Sequence, residues 1–117
     1  MPLAINQLAK YSQHDYYARM EKSVPHNKLS AIKGLIVAGQ VRATKSAREG
    51  ATALGVDFDG MLAVVTSLTM SDFYKSMTTH ADHKVWQDVY RPTTNVGEVY
   101  LKLTVVENVL IVSFKEL

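Results

Sequence analysis

A chain of 117 residues with 47% apolar and 21% charged side chains has the balance of one globular domain, and a net charge of +2 is too small to diagnose a nucleic-acid binder. No apolar run approaches the roughly 20 residues that cross a bilayer as a helix. With no cysteine, disulfides, thiolate metal sites and a cysteine nucleophile are excluded, which suits the reducing cytoplasm, where we expect the protein.

Residues 1–19 read as an N-terminal extension. They lack the basic start and continuous apolar stretch of a secretory signal, and Leu3, Ile5 and Leu8 suit a short helix. Met20, followed by Glu21 and Lys22, is a second candidate start, so the extension is alternatively a mis-assigned one. Residues 20–117 are the expected domain. Residues 1–50 hold eight Lys/Arg against three acids, and residues 51–117 five against eight. The basic half, with Lys22, Lys28, Lys33, Arg42, Lys45 and Arg48, is therefore either a surface for phosphate or an acidic partner, or a set of solvated helix faces.

Asn27 is placed to cap a helix carrying Leu29, Ile32, Leu35 and Ile36, with Gly39 as its stop. Gln40 to Ala43 follows as an edge strand. Ser46, with Glu49 three residues on, reads as a capping box opening a short helix that ends at Gly55. Asp57 caps a third helix through Met61, Leu62, Val64, Val65 and Leu68; Asp57 and Asp59 are acids at a helix start rather than a catalytic pair. After Met70 the texture turns aromatic and β-branched: Phe73 to Thr78, Val85 to Arg91, Val99 to Val106 and Val109 to Lys115 read as strands. Helices first and strands afterwards predict an α+β fold with a mainly antiparallel sheet.

Only Glu107 and Asn108 separate the last two strands, so a two-residue turn gives facing residues numbers that sum to 215. Leu101 then faces Phe114, Leu103 faces Val112, and Val105 faces Leu110, an apolar side turned to the helices. The other side pairs Tyr100 with Lys115, Lys102 with Ser113, Thr104 with Ile111 and Val106 with Val109. Glu is poorly suited to the left-handed backbone of such a turn. A four-residue loop would keep this register; an odd-length loop would break it. In the preceding strand Val85, Gln87, Val89 and Arg91 share a face, and Trp86, Asp88 and Tyr90 share the other, with Trp86 and Tyr90 expected in the core rather than as a base-stacking platform. Phe73, Lys75 and Met77 are expected to share a face as well.

RNA brings its own nucleophile, the 2′-hydroxyl, so a protein need only move protons and stabilise the phosphorane. Lysine, arginine and tyrosine suffice for that, provided neighbouring cations bring lysine (about 10.4) and tyrosine (about 10) nearer neutrality. On pattern alone, the preferred reading of Tyr100 and Lys115 is a solvated pair at a sheet end. His80, Asp82 and His83 form a weak metal pattern better read as a surface loop; no metal ligand set and no cofactor is expected, and no glycine-rich phosphate loop occurs.

The segments DFDGM (57–61), SDFYKSMTT (71–79), WQDVYRP (86–92), VYLKLTV (99–105) and VLIVSFKE (109–116) resemble the MqsR family of motility quorum-sensing regulators over Met20 to Leu117. The resemblance implies a toxin of a type II toxin–antitoxin pair with a RelE/YoeB-like fold. It implies a ribosome-independent endoribonuclease acting on messenger RNA at short GC-containing sequences. It also implies an MqsA-like antitoxin partner, with the zinc-binding and DNA-binding parts belonging to that partner. The family's active residues fall on Lys75, Gln87, Tyr100 and Lys115. Lys115 and Lys75 would stabilise the phosphorane or transfer protons, Tyr100 would be a proton-transfer partner, and Gln87 would orient phosphate or base. Arg91 is a further phosphate candidate, and Tyr74 a base-stacking one. His80 stands where a relative carries tyrosine and is a candidate base reader. The competing readings are a non-catalytic regulator that docks an antitoxin or repressor, and a metal-dependent hydrolase built on His80 and His83.

Overall fold

The computed structural model describes residues 20–117. The short helix expected before Met20 lies outside them. In chain order the elements are β1 (Glu21–Lys22), α1 (Leu29–Val37), β2 (Val41–Ala43), α2 (Lys45–Ala53), α3 (Phe58–Thr66), a single 3₁₀ turn (Met70–Asp72), β3 (Phe73–Thr78), β4 (Trp86–Tyr90), β5 (Thr93–Thr94), β6 (Gly97–Val106) and β7 (Asn108–Glu116). The sheet runs β1-β3-β4-β6-β7-β2, with β5 added on β6; among the described residues only the β2–β7 pairing is parallel. This is the α+β arrangement expected from helices followed by strands.

The helices begin and end for local reasons, two of which differ from expectation. Asp57 caps α3 as predicted, its Oδ1 accepting from Gly60 N at 2.8 Å. Gly39 and Gly55 close α1 and α2 with φ of 77° and 75°, a left-handed conformation that glycine adopts without a Cβ clash. The cap of α2, however, is Thr44 and not Ser46. Its Oγ1 accepts from Ala47 N at 3.0 Å and donates to Val112 O at 2.9 Å, so one hydroxyl both starts the helix and ties it to β7. Ser46 and Glu49 fall inside the helix, where Glu49 pairs with Lys45 at 3.8 Å. Asn27 does not cap α1 either, since the N-cap position falls on Lys28, without a side-chain bond. The buried carboxylate of Asp88 on β4 instead accepts from His26 N (2.9 Å) and Asn27 N (3.0 Å), holding the chain that enters the helix.

The core lies between the helices and one face of the sheet: Ile32, Ala47, Ala51, Met61, Val65 and Leu68 meet Tyr90, Val99, Leu101, Leu103, Val109, Ile111 and Phe114. Tyr90 is in this core, with Phe73 edge-on at 5.4 Å. Trp86 is only half-buried and lies outside it, covered by His26 stacked at 5.4 Å and by Lys22 Nζ 4.1 Å from the ring.

The Tyr90 hydroxyl is enclosed and, among the described residues, has no hydrogen-bond partner. Burial first, and the Asp88 charge second, push its pKa up from 10.0 to about 12. Between those values the unfolded chain gives up the phenolic proton while the folded chain retains it, so stability falls as pH rises through this window. Tyr90→Phe is therefore expected to flatten the decline in urea midpoint between pH 10 and 12, with little loss at pH 7, because the removed hydroxyl has no bond to lose. An unchanged alkaline slope would assign that decline to other groups.

The β6–β7 hairpin holds the expected register only in its outer half. Tyr100 faces Lys115, Leu101 faces Phe114 and Lys102 faces Ser113, but nearer the turn Leu103 faces Ile111, Thr104 faces Leu110 and Val105 faces Val109. Glu107 alone separates the paired Val106 and Asn108, at φ 68°. That odd-length turn shifts the register by one residue, and a bulge at Val112 restores it. Val109 and Ile111 consequently fill the core where Leu110 and Val112 were expected. A second bulge, between Phe73 and Lys75, separates those two residues onto opposite faces: Phe73 packs on the core, and Lys75 does not.

Candidate RNA-binding face

Because facing residues in a ladder share a side, the registers build the face turned away from the helices row by row. Lys75, Val89, Lys102 and Ser113 form one row across β3, β4, β6 and β7. Met77 faces Gln87 in the row on one side. On the other side Tyr100 faces Lys115, and Val99 N donates to Pro92 O at 3.0 Å, which continues the β4–β6 register and sets Arg91 opposite Tyr100. The four residues Lys75, Gln87, Tyr100 and Lys115 are thus brought to one face by four different strands.

Two aromatic–cation groups stand on it. Lys115 Nζ lies 5.3 Å and Lys102 Nζ 5.8 Å from the Tyr100 ring centroid, so two ammonium groups stand beside one phenol. The bulge in β3 adds Tyr74 to the same side; the Arg91 guanidinium lies 4.2 Å over its ring, and Lys75 Nζ lies 5.4 Å away. Tyr74, Arg91 and Lys115 are exposed, while Lys75, Gln87, Tyr100 and Lys102 are half-buried. Four cations within a few strand spacings make a surface suited to a phosphate backbone. Phenol and ammonium side by side can share proton transfer at a phosphodiester.

His80 is not part of this grouping. It sits in the loop joining β3 to β4, at the end of β3 away from Tyr74 and Arg91. In that loop Thr79 Oγ1 accepts from Asp82 N, and Asp82 Oδ1 accepts from Lys84 N, so Asp82 shapes the turn. Among the described residues no three His, Asp or Glu side chains gather as metal ligands. Of the basic side chains of the N-terminal half, Arg42 faces Leu110 across β2 and β7 and so lies on this side of the sheet, exposed at its β2 edge. Lys33 and Arg48 lie elsewhere, with Lys33 Nζ donating to Leu68 O at 2.6 Å and Arg48 resting 4.6 Å over Phe58. A groove of about 550 Å³ between α3 and the β5 segment, lined by Val56, Val64, Asp72, Pro92 and Val96, contains none of the candidate residues.

Two members of the face were not among the sequence candidates. Lys102 was legible, since alternation sets it beside Tyr100. Glu21 was not: it belongs to a two-residue strand and meets Lys75, 54 positions away, at 2.6 Å.

Residues 24–116 match the family described as motility quorum-sensing regulator, toxin of MqsA. The mRNA interferase toxin MqsR of Escherichia coli (strain K12) is 62% identical over 97 residues, which is 83% of this chain and 99% of that protein. A match of this extent, on a chain whose sheet gathers the four residues that the motifs single out, has one reading: the chain belongs to the MqsR toxin family.

Proposed function

We propose that the protein is the toxin of a type II toxin–antitoxin pair, a metal-independent and ribosome-independent endoribonuclease that cuts single-stranded messenger RNA at short GC-containing sequences. The observation that carries this reading is the phenol of Tyr100 with two ammonium groups beside it, those of Lys115 and Lys102. The 2′-oxygen attacks phosphorus, the bond to the 5′-oxygen breaks, and the products are a 2′,3′-cyclic phosphate and a 5′-hydroxyl. Lys115 and Lys102 stabilise the charge of the phosphorane, and Tyr100 and Lys115 share the proton transfers. Lys75 and Gln87, toward the outer strands, hold the neighbouring nucleotide, and Arg91 with Tyr74 takes a flanking phosphate and base. The similarity of the relative named an mRNA interferase supports the substrate class.

The counterpart is an MqsA-like antitoxin, in keeping with the family's description. Zinc and DNA contacts belong to that partner, and the pair works in the cytoplasm. The fold is read as RelE-like, with residues 20–117 as the toxin domain and residues 1–19 as an extension.

Incubation of the purified protein with single-stranded RNA in excess EDTA tests the reaction. Fragments ending in cyclic phosphate and 5′-hydroxyl are expected. Cleavage only after metal is restored would replace this reading with a metal-dependent hydrolase, and intact RNA beside well-folded protein would leave a protein-binding regulator.

A further inference from the structure

We infer that Glu21 and Lys75 form a guanine-reading pair at the outer edge of the RNA-binding face. The inference rests on the reading that this face takes single-stranded RNA.

Glu21 faces Met77 across β1 and β3, and Met77 faces Gln87, so the carboxylate is on the same side of the sheet as the candidate residues. Lys75 Nζ donates to Glu21 Oε2 at 2.6 Å, with the two side chains 27% and 46% exposed. The contact draws the ammonium toward the edge strand. Lys75 and Lys115 are three strands apart, about 14 Å at the usual spacing of about 4.8 Å. A phosphodiester held between Tyr100 and Lys115 therefore leaves the Glu21–Lys75 pair to a nucleotide beside the cleaved bond.

The chemistry of the pair selects the base. A carboxylate offers two acceptor oxygens, and the ammonium retains donors beyond the one it gives to Glu21. The pairing edge of guanine presents O6 as an acceptor beside two adjacent donors, N1–H and the N2 amino group. Carboxylate on the two donors and ammonium on O6 satisfies all three. Adenine, cytosine and uracil each set an acceptor against one of the carboxylate oxygens. Single-stranded RNA exposes this edge for such contacts.

A purely structural role is poorly supported. The start of β1 is already fixed to β3, with Met20 N donating to Thr78 Oγ1 at 2.8 Å and Thr78 N to Met20 O at 2.9 Å. A partly exposed ion pair adds little to that.

The test uses the full chain and short single-stranded RNAs carrying one cleavage site, with guanosine, inosine or adenosine placed in turn at each flanking position. Inosine lacks only the N2 amino group. Wild-type protein is expected to show, at one flanking position, a kcat/KM for guanosine about tenfold or more above that for inosine. Glu21→Ala should bring that ratio to within about twofold, and Glu21→Gln should lower it partway. No guanosine-to-inosine preference in the wild type, the same ratio in Glu21→Ala, or an equal loss on all three bases would overturn the inference. Lys115→Ala on the same RNAs keeps the two questions apart: undiminished cleavage there would remove the reading of the face itself, whatever Glu21 does.

Discussion

Lys115→Ala is expected to slow cleavage of single-stranded RNA by about 10²–10³-fold, the usual loss when one preorganised stabiliser of a developing oxyanion is removed. Tyr100→Phe is expected to lose about 10²-fold or more, since the ring remains and only the proton-transferring hydroxyl goes. Both losses should appear in kcat at saturating RNA. Lys115 is exposed near the free end of β7 and Tyr100 is half-buried, and neither belongs to the helix-side core. Stability should therefore stay within about 0.5 kcal/mol of the parent, read from urea midpoints at constant m. The double variant should lose less than the product of the single losses, because the two side chains face each other across the β6–β7 ladder and act on one phosphodiester. Full activity in both single variants would remove this pair from the reaction. Full activity in Tyr100→Phe alone would leave Lys115 as the charge stabiliser and pass the proton transfers to the lysines.

What the sequence makes legible depends on the range of the interactions involved. Alternation is a property of one strand, so the polar sides of β4 and β6 were readable from residue types alone. The Tyr100–Lys115 pairing was readable because hairpin arithmetic is local, and it held for a reason the arithmetic omitted. The single-residue turn at Glu107 slips the register, and the bulge at Val112 recovers it before Ser113 is reached. Leu110 and Val112 exchanged places with Val109 and Ile111 because that compensation happens between the turn and the site. The two capping assignments failed for different reasons. Thr44 caps α2 locally, through Ala47 N, and was passed over for the nearby Ser46; only its second bond, to Val112 O, needs the fold. The chain entering α1 is held by Asp88 through bonds from His26 and Asn27 that span the fold, which no helix-start pattern contains. The distribution of charge pointed to the N-terminal half, yet that half contributes Arg42 at the edge of the candidate face, while Lys75, Arg91, Lys102 and Lys115 come from the acid-rich half. Summed charge carries no information about side, whereas strand register does.

Gly50→Ala should destabilise the protein by about 2–3 kcal/mol, although alanine is the better helix former by about 1 kcal/mol. Gly50 is in the interior of α2, within the helix expected between Ser46 and Gly55. A Cβ at this position would stand 2.0 Å from Phe114 O, 3.1 Å from Phe114 C and 3.4 Å from the Lys115 Cβ. The nearest atom is backbone in the middle of a ladder, so it cannot turn aside as a side-chain end would. Nor can the helix retreat cheaply. Ala47 and Ala51 beside it are fully buried, and Thr44 ties the start of α2 to β7 through Thr44 N to Ile111 O at 3.0 Å and its hydroxyl to Val112 O. Relief of the clash must move α2 and β7 apart, which opens the core at Phe114 and displaces Lys115 from Tyr100. Loss of stability and loss of cleavage are thus expected together, the second measurable below the unfolding transition. Gly34 in α1 provides the contrast, since nothing lies within 4 Å of a Cβ built there. Gly34→Ala should stabilise by up to about 1 kcal/mol through helix propensity alone, with cleavage unchanged. If Gly50→Ala proved as stabilising as Gly34→Ala, the close approach of α2 to β7, and with it the support proposed for Lys115, would be wrong.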